Sequence, residues 1–125
     1  MKILIASIVI SLMIVSSCSH GGRSGGVNSS VKADDFREIN VTAYQWKFDP
    51  EVIKVKNGEK VRLLVKSIDV RHGFAIAEYG LDVKIDPGQV VPVEFVADKS
   101  GTFSAYCSVP CGSGHRSMKA SLIVE

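Results

Sequence analysis

The sequence predicts an all-β domain, a barrel or sandwich with Greek-key connections. Three observations carry this. Short runs alternate apolar and polar residues and are rich in β-branched side chains. Turn dipeptides punctuate these runs at short intervals. After the first residues, no stretch has a helical period. Taken in order, Ile39–Tyr44 alternates for most of its length. Asp49-Pro50 marks a turn before Val52–Val55, and Asn57-Gly58 a turn before Val61–Val65. Phe74–Ala77 reads as a further strand, and Asp86-Pro87-Gly88 turns the chain into Val90–Val96. Lys99-Ser100-Gly101 precedes Thr102–Tyr106, and Lys119–Val124 closes the chain. No internal repeat is visible. A chain of 125 residues fits one such domain.

The amino-terminal segment has a different composition. Lys2 is followed by Ile3–Val15, apolar except for Ser7 and Ser11. As a helix this run would measure roughly 20 Å, short of the hydrocarbon core of about 30 Å. A charged start, a short apolar centre and small residues at its exit make residues 1–17 a signal peptide. The exit Val15-Ser16-Ser17-Cys18 resembles a bacterial lipoprotein box, which makes Cys18 the lipidated first residue of the exported chain. Ordinary cleavage with Cys18 left as a spare thiol is the plainer alternative, and an uncleaved membrane helix is a weaker one. Residues 18–35, rich in Gly and Ser, read as a flexible tether, and residues 36–125 as the domain. His20 stands alone in the tether and is expected to be solvated. The expected location is the periplasmic, extracytoplasmic side of a bacterial membrane.

The formal net charge is +2 and the basic residues are scattered singly, so nucleic acid is not an expected partner. The chemistry sits between the last two strands, in Cys107-Ser108-Val109-Pro110-Cys111-Gly112-Ser113-Gly114-His115-Arg116-Ser117-Met118. Thiolates and a thioether are soft ligands, and imidazole suits copper and zinc. Gly112 and Gly114 allow the tight folding that would make the donors converge. His72, at the end of a predicted strand, can reach the same end of the barrel. Export to an oxidising compartment leaves open whether Cys107 and Cys111 instead form a disulfide.

Three segments, Tyr44-Gln45-Trp46-Lys47-Phe48-Asp49-Pro50, Ser67–Phe74 with Asp-Val-Arg-His-Gly-Phe, and the loop Cys107–Met118, resemble the binuclear copper (CuA) domain. That domain occurs in subunit II of haem–copper cytochrome oxidases and in nitrous oxide reductases. The similarity covers about Val41 to Glu125. It implies a cupredoxin-like Greek-key barrel and two copper ions. Cys107 and Cys111 would bridge both ions, and His72 and His115 would bind one each. Met118 and the Val109 carbonyl would be weak axial donors. Sharing one electron over two metals lessens rearrangement on reduction, and a rigid barrel lessens it further. Trp46 lies in a segment like the family's aromatic patch near copper, which suggests a place where electrons enter; simple packing on the barrel is the alternative. Asp69 is expected either to orient a ligand loop or to form a turn.

Many family members carry Glu where this chain has Val109, and that Glu serves a magnesium site which Val cannot. This departure, with a lipid tether in place of the family's membrane hairpin, points to a stand-alone electron carrier without its own catalysis rather than an oxidase subunit. Cytochrome c, another redox protein, a terminal oxidase or a reductase are all compatible partners. Structural zinc would leave Met118 unused. A single blue copper would leave one Cys unused. A copper donor for assembly of a respiratory enzyme is the alternative of another class.

Overall fold

A computed structural model describes residues 35–125; the expected signal peptide, Cys18 and most of the expected tether lie outside the described residues. Nine strands follow one another: β1 Arg37–Tyr44, β2 Lys47–Asp49, β3 Val52–Val55, β4 Lys60–Ser67, β5 His72–Ile76, β6 Leu81–Ile85, β7 Val90–Val96, β8 Gly101–Tyr106 and β9 Lys119–Val124. Two single turns of 3₁₀ helix, Ala77–Tyr79 and His115–Ser117, complete the described elements. No helix among the described residues is long and apolar enough to cross a membrane.

The strands form two mixed sheets in the orders β2-β1-β4-β7 and β3-β9-β8-β5-β6. β1 and β4 are parallel, as are β3 and β9, and the remaining pairs are antiparallel. The chain thus changes sheet five times, between β2 and β3, β3 and β4, β4 and β5, β6 and β7, and β7 and β8. The two sheets face each other in a cupredoxin-like sandwich. Alternation along the strands decides which side chains fill it. On β4, Val61, Leu63, Val65 and Ser67 are buried while the residues between them are at least partly solvated. Ile53 and Val55 of β3, and Ala120, Leu122 and Val124 of β9, supply the facing layer. Phe48 and Phe74 meet edge to face at 5.3 Å between ring centroids, with an interplanar angle of 88°.

Two strands exceed the sequence expectation. β2 has three residues and no period to read; it exists because it pairs back on β1, with Tyr44 opposite Lys47. β6 pairs with β5 from His72↔Ile85 to Ile76↔Leu81. The strand expected at Phe74–Ala77 starts two residues earlier, at His72, and all five residues of β5 are buried. Ala77 opens the 3₁₀ turn instead.

Three connections gather at one end: Gln45-Trp46 between β1 and β2, Ile68–Arg71 between β4 and β5, and Cys107–Met118 between β8 and β9. The Ile68 N–H donates to Ala43 O at 3.2 Å, and the Cys107 N–H to Met118 O at 3.1 Å. The core beneath fixes their geometry. Phe48→Ala is expected to cost about 3–5 kcal/mol in a denaturant titration; a loss under about 1 kcal/mol would contradict the placement of Phe48 between the sheets.

Candidate metal centre

The loop from Cys107 to Met118 is closed at its neck by the Cys107 N–H to Met118 O bond, so these two residues face each other where β8 and β9 part. Within it, the His115 N–H donates to Gly112 O at 3.2 Å and the Met118 N–H to His115 O at 3.2 Å. The resulting 3₁₀ turn swings the His115 ring toward Cys111, with Nδ1 3.7 Å from Sγ. Met118 is fully buried and its Sδ lies 3.7 Å from the Cys111 Sγ. The Cys107 S–H points at the Val109 carbonyl, 3.1 Å away.

His72 comes from the other side of the sheet end. It is fully buried, and its Nδ1 lies 4.0 Å from the Cys107 Sγ. Its Nε2 faces Asp69 Oδ1 at 2.7 Å. A ring nitrogen bonded to a carboxylate is held as the N–H, which leaves Nδ1 with its lone pair toward the sulfurs. Asp69 also accepts the Val70 N–H on Oδ1 and the Gln45 N–H on Oδ2, both at 2.6 Å. Burial pushes the Asp69 carboxyl up, but the Gln45 N–H, the His72 ring and the Val70 N–H outweigh it and hold the group below its usual range. Asp69 therefore both orients a donor and shapes the turn.

The two sulfurs are 3.5 Å apart, well beyond a disulfide bond of about 2.05 Å, and both cysteines are free. Burial, with Cys107 alongside, pushes the Cys111 thiol up to about 12. A cation binding there displaces that proton. His72, Cys107 and Cys111 offer donor atoms all within 4.8 Å of one another. His115, Met118 and the Val109 carbonyl adjoin this cluster. Two thiols, two imidazoles and a thioether are a soft set that fits copper.

Residues that the sequence did not single out as positioning groups hold the donors. The Gln45 side-chain amide donates to Cys111 O at 2.8 Å, and the Trp46 indole N–H to the same oxygen at 3.3 Å. A Cβ on Gly114 would lie 2.4 Å from the indole Cδ2, and one on Gly112 would lie 3.0 Å from Nε1. The two glycines are thus the bed on which Trp46 lies, a more specific reason for them than loop flexibility. Gly73 donates its N–H to the Cys107 Sγ at 3.4 Å, and a Cβ there would meet Ser108 Oγ at 2.1 Å. Ser108 in turn donates its hydroxyl to Asp82 Oδ1 at 2.6 Å, tying β6 to the loop. The only cue in the sequence was adjacency: Gln45 precedes Trp46 and Gly73 follows His72. As core residues, Phe48 and Phe74 are fully buried, and Tyr44 is half-buried.

Residues 28–125 match the family described as cytochrome c oxidase subunit II, periplasmic domain. The chain belongs to that family. The family is one of periplasmic domains, which puts the domain on the extracytoplasmic side. The nitrous-oxide reductase of Cupriavidus necator is 34% identical over 91 residues, covering 70% of this chain and 14% of the relative. The cytochrome c oxidase subunit 2 of Thermus thermophilus is 29% identical over 87 residues, covering 70% of this chain and 64% of the relative. This chain therefore spans a small part of the reductase and about two thirds of the oxidase subunit. A chain of a heme-copper terminal oxidase dimer superposes with a TM-score of 0.66 and 31% identity, over 76% of this chain and 68% of that one. Auracyanin A, a blue copper protein of Chloroflexus aurantiacus, superposes with a TM-score of 0.60 at 18% identity, over 72% of this chain and 99% of that one. That likeness shows the cupredoxin-like fold.

Because Trp46 is the only tryptophan, its fluorescence reports on the Gly112–Gly114 bed. Gly114→Ala is expected to displace the indole and red-shift its emission. An emission spectrum identical to that of the unsubstituted protein would contradict the contact.

Proposed function

We propose that this domain is an electron carrier built around a binuclear copper centre of the CuA type. One observation carries the reading: the donors fall into two matched sets around a pair of sulfurs 3.5 Å apart. Cys107 has its own imidazole, His72 at 4.0 Å, and its own weak donor, the Val109 carbonyl at 3.1 Å. Cys111 has its own imidazole, His115 at 3.7 Å, and its own weak donor, Met118 at 3.7 Å. One metal ion would need one such set, and a structural zinc site would leave Met118 idle. Two ions held by both sulfurs would use every donor. When bound, the copper pair supplies a one-electron couple spread over two metals.

The rest of the work belongs to the chain. Asp69 holds the His72 ring in the tautomer that presents Nδ1. Burial of Cys107, Cys111, His72 and Met118 keeps water from the donors. Gly73 places its N–H on a sulfur, a contact of the kind that tunes reduction potential. Trp46, bonded to the backbone of Cys111 and 37% exposed, links the donor loop to solvent and is one proposed point where electrons enter. Cytochrome c or another redox protein would deliver the electrons, with a terminal oxidase or reductase downstream. Residues 1–17 are proposed as the signal peptide, Cys18 as the lipid attachment site and residues 18–35 as the tether to the membrane.

Cys111→Ser leaves one complete donor set around Cys107. The variant is expected to lose one of its two coppers and to give the electron paramagnetic resonance spectrum of a single metal nucleus. An unchanged two-copper spectrum would overturn the ligand assignment. For the anchor, Cys18→Ser expressed in a bacterial host is expected to move the protein from the detergent phase to the aqueous phase. Partitioning unaffected by the substitution would rule lipidation out.

A further inference from the structure

The outer face of the second sheet is hollow beside the donor loop. A concavity of 610 Å³ opens there, lined by Ser104 and Tyr106 of β8, by Lys119 of β9 and by Arg116 of the 3₁₀ turn, with Cys107, His115 and Met118 among its walls. Ser108 completes the lining. Its two formal charges, Arg116 and Lys119, are both positive, and no acidic residue lines it. Among the described residues neither cation takes part in an ion pair, whereas Arg37, Lys47, Arg62 and Arg71 all have carboxylate partners. Tyr106 lies opposite Lys119 in the β8–β9 register and is 37% exposed. Tyr106 and Arg116 are of the residue types enriched at protein interfaces and among their strongest contributors. Its sign is positive.

Position adds the second part of the case. His115, half-buried, stands on this wall with one face to Cys111. A partner seated in the concavity would therefore stand next to a donor of the proposed centre with no further layer of protein between. Two unpaired cations at such a point attract an acidic surface and repel a basic one, which fixes partner choice and speeds encounter.

We propose that this concavity is the docking site for an acidic patch on the electron-transfer partner, with Arg116, Lys119 and Tyr106 as its contact residues. The partner is a redox protein that presents carboxylates around its own cofactor. The proposal rests on the electron-carrier reading above and narrows the class of partner.

Two measurements on the full chain test it. In the first, the copper-loaded protein is mixed by stopped flow with an acidic c-type cytochrome and, separately, with a basic one. The acidic cytochrome is expected to react faster, with a rate that falls steeply as salt is added. Lys119→Glu and Arg116→Glu are each expected to slow it by about tenfold or more at low salt, while Lys60→Glu, at the opposite end of β4, leaves it unchanged. Reduction by ascorbate at the unsubstituted rate would show that the variants keep an intact centre. A faster reaction with the basic cytochrome, or rates indifferent to both reversals, would overturn the proposal. In the second, the acidic cytochrome is titrated into the metal-free chain and the perturbed amides are mapped by nuclear magnetic resonance. Shifts centred on Tyr106, Arg116 and Lys119 support the site; shifts elsewhere, or none, refute it. Docking needs no metal, so a chain that failed to bind copper yet bound the cytochrome here would refute the carrier reading and leave the docking site standing.

Discussion

The carboxylate of Asp69 is the junction on which the site depends. Its Oδ1 takes the His72 ring and the Val70 N–H, and its Oδ2 takes the Gln45 N–H. Gln45 then reaches across to the carbonyl of Cys111. One side chain and its neighbour thus tie the β1–β2 turn, the β4–β5 connection and the cysteine loop into a single assembly. Without such ties, a fully buried imidazole and a twelve-residue loop would each have to be ordered at the cost of conformational entropy. With them, the donors are held by hydrogen bonds whose partners sit in short connections anchored at strand ends, and strand ends are fixed by the core.

The sandwich makes this possible by its crossings. β1 and β4 run parallel in one sheet, and the chain leaves β4 for β5 in the other. That step carries Asp69 and His72 over the end of the barrel. β8 and β9 are antiparallel neighbours, so their connection returns to the same end. Donors separated by 35 residues in sequence, His72 and Cys107, come within 4.0 Å. Small residues let the layers approach: Gly73 sits under Ser108, and Gly112 and Gly114 lie under Trp46. In each case the space of a missing Cβ is occupied by a neighbour, so the glycine is a packing requirement.

Most of this architecture could be read from the sequence, for identifiable reasons. β4 alternates for most of its length because one face is buried and the other solvated, which imposes period two on the composition; β7 alternates in burial, but with Val90 and Val96 exposed it reads as a nearly continuous apolar run. The donor loop was legible because its ligands are close together in the chain. His72 was a candidate from its place at a strand end, and the family resemblance then implied its role, since only topology brings it to the loop. β6 does alternate at Leu81, Val83 and Ile85, yet only pairing with β5 makes it a strand, and two of its three inward residues are just half-buried. The roles of Gln45 and of the Ser108–Asp82 bond were beyond sequence reasoning. Their contacts span 66 and 26 residues, and polar side chains at loops and sheet edges leave no periodic trace.

The central claim is that two metals share the sulfurs of Cys107 and Cys111. Copper stoichiometry with electron paramagnetic resonance on the loaded, unsubstituted chain tests it most directly. The account predicts two coppers per chain and hyperfine splitting from both nuclei in the oxidised state. One copper per chain with splitting from a single nucleus, or uptake of zinc alone, would contradict it.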